Sequence, residues 1–524
     1  MKYGWDAAGS LATIMYPDGN VITYTYDSQN RMITMNDGNG NATDFAYDSN
    51  GNLSTVTPPN GTVTTYTYNS NDQLDKVATT KSGLADFSFD ASASGSITPS
   101  GNVQNVTTSQ ASALGLLPGA SGSPGSDTYS YDPLSRLTND AHTGTGNVTS
   151  TLNYADNGEI HQVTSGNIID QATYAYGGTT GNDPGAVKSV GSGTVFDVNS
   201  NGNRTCQGTA TPCSSHTTYS YTWDGADRLT NWVDGGVTNF YTYDGNGLLQ
   251  KTVHQEPSGG SCPNIRRHQI RRHTLFCTIQ DSLDWNTALG TPTLAVDHEY
   301  ATGVDEGWVD YIMGPQGLPI EQLTNGTSTP EWFYADIQGN TRALANSSGT
   351  VGNTENYPPY GVATDSFGGI GLGTPLQYNG TYSDSWTGYV YDQSRWYDPS
   401  AGQFLSQDPL VDQTLQPYEY AGANPISNTD PTGTHSDGHL GKQVRHMKIC
   451  DVFMSLADVN CDWWAELTIH IKWAKRQKVV TATATDYAYK TGTHYVSGWN
   501  SGVDGNAQPA KPKIDWMSAD GPDC

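Results

Sequence analysis

YTYDSQNRM, running from Tyr24 to Met32, is a phrase to which this chain keeps returning. It recurs as YGWDAAGSL from Tyr3, FAYDSNGNL from Phe45 and YTYNSNDQL from Tyr66. Its fourth residue is Asp6, Asp27, Asp48 or Asn69, evenly stepped along the chain, and Asp90 in FSFD keeps the same step. A fixed period of this kind marks a repeat architecture. Five places after each Asp or Asn stands an apolar residue, Leu11, Met32, Leu53 or Leu74, and Gly-bearing turns (PDGN, GNGN, PNGT) separate the units. The aromatics alternate with period two, and the turn residues tolerate positive φ. Each unit therefore reads as strand, turn, strand.

Later copies lose the strict spacing but keep the chemistry: YSYDPLSRL with Asp132, YTWDGADRL with Asp224 and YTYDGNGLL with Asp244. The Tyr and Leu positions are expected to pack on one face. The Asp is expected to accept backbone N–H groups in the turn that follows it. Composition agrees with strands and turns rather than helices, with 59 Gly, 31 Tyr and only 15% charged residues.

The formal charge of −27 is unevenly placed. Residues 434–524 hold 10 Lys+Arg and 10 Asp+Glu, which leaves 15 and 42 for residues 1–433. So acidic a surface repels nucleic acid and anionic membrane. No apolar run approaches the roughly 18 residues of a membrane-spanning helix, and Met1-Lys2-Tyr3-Gly4-Trp5 does not open a signal peptide. A chain beginning in mid-pattern is expected to lack an N-terminal portion, with any export signal outside it. The cysteines fall into close pairs, Cys206 with Cys213, Cys262 with Cys277 and Cys450 with Cys461, with Cys524 left over. None makes a CxxC knuckle, and the spacings suit short disulfide loops of an oxidising compartment.

Tyr-Asp hairpins at this period lead into YADIQGNTRAL (Tyr334–Leu344), YPPYG (Tyr357–Gly361), RWYDPSAGQFLSQDPL (Arg395–Leu410) and QPYEYAGANPISNTDPTG (Gln416–Gly433). This succession resembles the RHS/YD-repeat family and its RHS repeat-associated core domain. The resemblance covers residues 1–433. It implies an all-β fold: a ribbon of β-hairpins spiralling into a hollow shell at 1–333, closed by a core plug at 334–433. A variable C-terminal domain follows at 434–524. It further implies a secreted or surface-displayed protein whose shell encloses that domain as cargo, with a target-cell surface or glycan and an immunity protein as partners. The rival reading is a non-enzymatic cell-wall or adhesion protein whose Tyr-rich hairpins bind carbohydrate or a partner surface.

The family's self-cleavage signature is a pair of DPxG motifs held at a fixed spacing. Here DPLV (Asp408–Val411) and DPTG (Asp430–Gly433) stand at that spacing, with Asp412 to Thr429 between them. The resemblance makes Asp408 and Asp430 the catalytic pair and puts the cut at Gly433-Thr434 or Thr434-His435. Two carboxylates close together raise the pKa of one of them, so that one can act as acid while the other activates water. Val411 replaces the first motif's Gly, which would deny a turn its positive φ. The structural alternative is that both Asp-Pro pairs merely begin turns. Asp398 would either orient the pair or be neutralised by Arg395, while Arg395, Trp396, Tyr397 and Phe404 read as plug core.

After Gly433 the hairpins stop. Val444, Ile449, Val452, Phe453, Leu456 and Val459 fall near helical spacing, while AELTIHIKW, VVTATATDYAY and THYVSGW alternate like strands, so a small α+β domain is expected. Its histidines, His435, His439, His446, His470 and His494, form no recognisable constellation. The tail is thus a toxin payload or a structural or binding segment. CPNIRRHQIRRHTLFC (Cys262–Cys277) sets four Arg in an acidic protein, either a charge-balancing disulfide loop or an anion or glycan contact. No nucleotide loop, haem site or zinc cluster is present in the sequence, so neither cofactor nor metal is implied.

Overall fold

In the computed structural model the chain forms two compact units, Met1–Leu440 and Gly441–Cys524. Residues 1–434 are described except 82–83, 99, 111–124, 145–147, 155–158, 165–172, 177–184, 192, 257–277, 289–290, 325–329 and 364–372. Beyond 434 the described segments are strands.

The first unit is built from two antiparallel meanders in which each strand pairs with its sequence neighbours. One has fourteen strands, from Lys2–Trp5 to Ile160–Thr164, and the other fifteen, from Tyr174–Tyr176 to Val351–Thr354. This is the expected all-β hairpin ribbon, and it continues through Glu331–Ala335 and Thr341–Ala345 without a break in the sheet.

Local chemistry explains the repeat. Asp27 Oδ1 accepts the N–H groups of Gln29 and Arg31, both at 2.9 Å, and Asn30 takes φ 63° to close the turn. Asp48, Asp132, Asp224, Asp244 and Asp336 grip their turns in the same way. Each turn forces a one-residue register shift at the end of the preceding strand, as between Thr25 and Tyr26, Ala46 and Tyr47, and Thr242 and Tyr243. The displaced Tyr then reaches back one unit. Tyr26 donates to the Leu11 carbonyl at 2.7 Å, Tyr47 to Met32 at 2.7 Å and Tyr68 to Leu53 at 2.9 Å. Where a Trp stands in that place, its indole N–H does the same work: Trp223 to Arg204 and Trp285 to Leu249, each at 2.6 Å. The alternate residues Ile22, Tyr24, Met32, Phe45 and Leu53 turn inward to a shared core.

Four short strands, Tyr382–Ser383, Val390–Asp392, Arg395–Asp398 and Gln403–Phe404, form a separate small sheet. Around it Tyr378, Tyr397, Phe404 and Tyr420 make an aromatic nucleus, with the Tyr397 and Tyr420 rings 4.0 Å apart. This nucleus is tied to the second meander by polar contacts. Trp396 donates to the Tyr243 hydroxyl at 2.9 Å, Tyr241 donates to Asp384 at 2.6 Å, and Tyr418 donates to the Gly202 carbonyl at 2.7 Å. The core residues are thereby placed by the ribbon rather than by their own short strands.

In the second unit Arg445–Lys448, Trp463–Ala474, Gln477–Tyr489 and Lys513–Ser518 pair as one antiparallel sheet, and Tyr495–Val496 pairs with Val503–Asp504. Arg445–Lys448 lies in the stretch expected to be helical. It is instead a strand paired with Trp464–Leu467, because an edge strand can draw on a neighbour's hydrogen bonds whatever its own periodicity. The remainder of that stretch, 440–444 and 449–459, lies outside the described residues.

Candidate functional site

The residues singled out around the two Asp-Pro pairs meet at one buried point. Arg395 lies on the strand Arg395–Asp398 and its side chain is about 2% exposed. Its Nη2 stands 3.5 Å from Asp408 Oδ2 and 3.3 Å from Asp430 Oδ2, and both aspartates are equally buried. Arg395 Nη1 donates to the Pro417 carbonyl at 3.2 Å, the guanidinium stacks 3.6 Å over the Phe404 ring, and Nε donates to the Gly433 carbonyl. Burial pulls this guanidinium below its usual range while Asp408, Asp430 and Asp392 pull the other way. It stays charged at any physiological pH.

Both aspartates also hold turns. Asp408 Oδ1 accepts Leu410 N–H at 2.7 Å and its Oδ2 accepts the Thr414 hydroxyl at 3.0 Å. Asp430 Oδ1 accepts Thr434 N–H at 3.0 Å, while Gly433 N–H returns to the Asp430 carbonyl at 3.1 Å. Val411 opens a one-turn helix, Val411–Thr414, in ordinary helical backbone, and the left-handed residue is Leu415 at φ 55°. A Gly at 411 is therefore unnecessary. Gly433 is the opposite case: its φ is 67°, and a Cβ there would collide with the Asp392 carbonyl.

One expectation is corrected. Asp398 neither orients the pair nor meets Arg395, for its Oδ2 forms a buried ion pair with Arg204 at 2.6 Å and its Oδ1 holds Ser400. Arg204 comes from the meander strand Arg204–Gly208, far away in sequence. Asp392 is the residue the sequence reading missed. It is 1% exposed, its main chain abuts Gly433, and burial together with the charge of Asp430 pushes its carboxyl well above the usual range. Its place three residues before Arg395, across a tight strand turn, is the signal that would have found it.

A cleft of about 800 Å³ opens against Arg395, Asp408 and Val411, with Asn203, Asp227 and Gln407 on its walls. It gives solvent a path to Asp408 and Arg395. Elsewhere, Cys206 and Cys213 form a disulfide with Cα atoms 6.0 Å apart. Cys262, Cys277, Cys450, Cys461 and the arginine-rich insert lie outside the described residues, as do His435, His439 and His494. Among the described residues no group of three His, Cys, Asp or Glu side chains could hold a metal, and no helix is long and apolar enough to cross a membrane.

Comparison with known proteins bears on the ribbon and on the fold. The family model described as RHS Repeat matches residues 5–42 and 47–84. The tRNA3(Ser)-specific nuclease WapA of Bacillus spizizenii is 26% identical over 245 residues, 44% of this chain and 9% of that protein. Toxin protein Tse5 of Pseudomonas aeruginosa is 42% identical over 60 residues, 11% of this chain and 5% of that protein. The crystal structure of TcdB2-TccC3 superposes with a TM-score of 0.59 at 18% identity, covering 82% of this chain and 22% of its own. The chain thus spans less than a tenth of these curated relatives and about a fifth of the solved structure.

Proposed function

We propose that this chain, an RHS-repeat protein of the polymorphic-toxin type, is a carrier whose core domain cuts its own backbone between Gly433 and Thr434 and so frees residues 434–524 as cargo. The observation that carries this reading is that the Gly433-Thr434 peptide is held at both of its polar atoms. Its carbonyl oxygen takes the Nε–H of Arg395, and its N–H is taken by Asp430.

The parts fit a hydrolysis. Water entering by the cleft loses a proton to Asp408 and attacks the Gly433 carbonyl carbon. Arg395 stabilises the charge that develops on the carbonyl oxygen, an electrostatic contribution aimed at the transition state. The C–N bond then breaks as Asp430, protonated beforehand, delivers its proton to the Thr434 nitrogen, leaving at Gly433 a carboxylic acid that ionises to solvent and at Thr434 an amine. Thr434-His435 is the neighbouring bond the spacing also allows, but these contacts grip the bond before it.

A secreted or surface-displayed carrier delivering its tail to another cell follows from the kind of protein this chain resembles. The relatives named as a tRNA nuclease and a toxin support a toxic role for that tail, with an immunity protein as its natural partner. The direct test is expression of the wild type beside Asp408→Asn and Asp430→Asn on a denaturing gel. Wild type is expected to separate into two bands, and each variant to stay whole with its fold intact. Equal processing of all three would remove the protease reading.

A further inference from the structure

Cleavage requires a proton to leave with the amine, and the hydrogen-bond pattern indicates where that proton rests. Asp430 presents Oδ1 to the Thr434 N–H and Oδ2 to Arg395. Asp408 presents Oδ1 to the Leu410 N–H and Oδ2 to both the Thr414 hydroxyl and Arg395. All four oxygens accept a hydrogen bond in this arrangement, so neither group offers the natural seat for an extra proton before the step begins. Asp392 differs. It lies at the end of the strand Val390–Asp392, 1% exposed, and its Oδ2 has no hydrogen-bond partner.

We propose that Asp392 holds the resting proton of this site and is the positioning acid that charges Asp430 for cleavage. The proposal rests on the self-cleavage reading above. Charge supports it: one guanidinium between two carboxylates already leaves a buried site with a net negative charge, and a third ionised group would double that. The groups that act electrostatically on Asp392 or are acted on by it are Arg395, Asp430 and the phenols of Tyr378, Tyr391, Tyr397 and Tyr420, while the Thr381 hydroxyl hydrogen-bonds to it. Burial raises all four phenols, so they stay neutral, and Asp408 lies beyond Arg395. In the step itself the Asp392 proton moves to Asp430, Asp430 hands a proton to the Thr434 nitrogen, and Asp408 keeps the proton taken from water. One water is consumed, one C–N bond breaks and one C–O bond forms.

The experiment compares wild type, Asp392→Asn and Asp392→Glu as full chains, following fragment release from pH 4 to pH 9. Asp392→Asn keeps the shape and neutrality but carries no acidic proton. It is expected to slow release at least about tenfold, since a positioned acid contributes on the order of 10² to 10⁴. Asp392→Glu is expected to recover part of the rate and to shift the alkaline limb of the pH profile. Release by Asp392→Asn at the wild-type rate with an unchanged profile would overturn the proposal. ¹³C-carboxyl spectra of aspartate-labelled chain provide a second readout that does not depend on cleavage or on the Asn variant folding. Asp310 and Asp140 already contribute protonated-range signal near pH 7, and one further such resonance, shifted or lost in whichever Asp392 variant folds, is expected. Its absence from the wild type would also overturn the proposal. A wild type that is never cut, with that resonance present, would instead sink the cleavage reading and leave the proton on Asp392.

Discussion

Replacing Arg395 with Met is expected to destabilise the first unit by about 3–5 kcal/mol at pH 7 and to abolish fragment release. Removing one partner of a buried ion pair leaves the other uncompensated, which is far costlier than the pair is favourable. Here one guanidinium is paired with both Asp408 and Asp430. The cost has a signature that separates it from lost packing on Phe404. At pH 5 the stranded carboxyls can take up protons, so the penalty should shrink, whereas the stacking loss over the ring is independent of pH. Denaturant unfolding of wild type and variant at both pH values decides the matter. An equal cost at pH 5 and pH 7 would mean that Arg395 matters as a packed side chain and not as a counter-charge.

The second large effect belongs to the ribbon. Asp310 is fully buried with neither carboxyl oxygen hydrogen-bonded, and burial, with Asp18 adding to it, pushes its pKa up to about 8. Glu321, facing Asp37, is pushed up to about 9, and Asp140 and Glu419 to about 7, each chiefly by burial. In the unfolded chain these groups titrate near pH 4, so between pH 4 and pH 9 the folded state binds more protons. Their contribution is complete below pH 4 and is lost as pH rises through about 7 to 9. The turn aspartates act oppositely, since hydrogen bonds from their turns hold Asp27 and Asp132 below the usual range. These are solvent-screened and small. The melting temperature is therefore expected to fall by several degrees from pH 6 to pH 9, and the double variant Asp310→Asn with Glu321→Gln should flatten the slope. A melting temperature that is level or rises over that range would contradict this picture of the interior.

The ribbon was legible in the sequence because its determinants are local. An Asp that binds the N–H groups two and four places ahead fixes its own turn, and so leaves a mark in every unit that needs no tertiary information. The reach of Tyr47 back to Met32 spans only 15 residues and travels with the same phrase. The residues around the two Asp-Pro pairs are different. The family resemblance, through the spacing of its paired motifs, brought Asp408 and Asp430 forward together, but not the guanidinium that joins them. The Arg204–Asp398 ion pair crosses 194 residues, and no pattern near Asp398 announces it. Asp392 escaped notice because its importance lies in burial and in an empty lone pair, neither of which a residue type reveals. Val411 looked like a defect by analogy with a glycine turn, yet the backbone there is helical, and of the two motif-closing positions it is Gly433 that bears the left-handed constraint. The tail read correctly as strands wherever alternation was clean, as at Trp463–Ala474, and incorrectly at Arg445–Lys448, where so short a strand cannot show a period.

Intact-mass measurement of the purified wild-type chain decides whether the Gly433-Thr434 bond held by Arg395 and Asp430 is cut. The account predicts two species in equal amounts, one ending at Gly433 and one running from Thr434 to Cys524. A single species at 56.2 kDa that persists on incubation would contradict it.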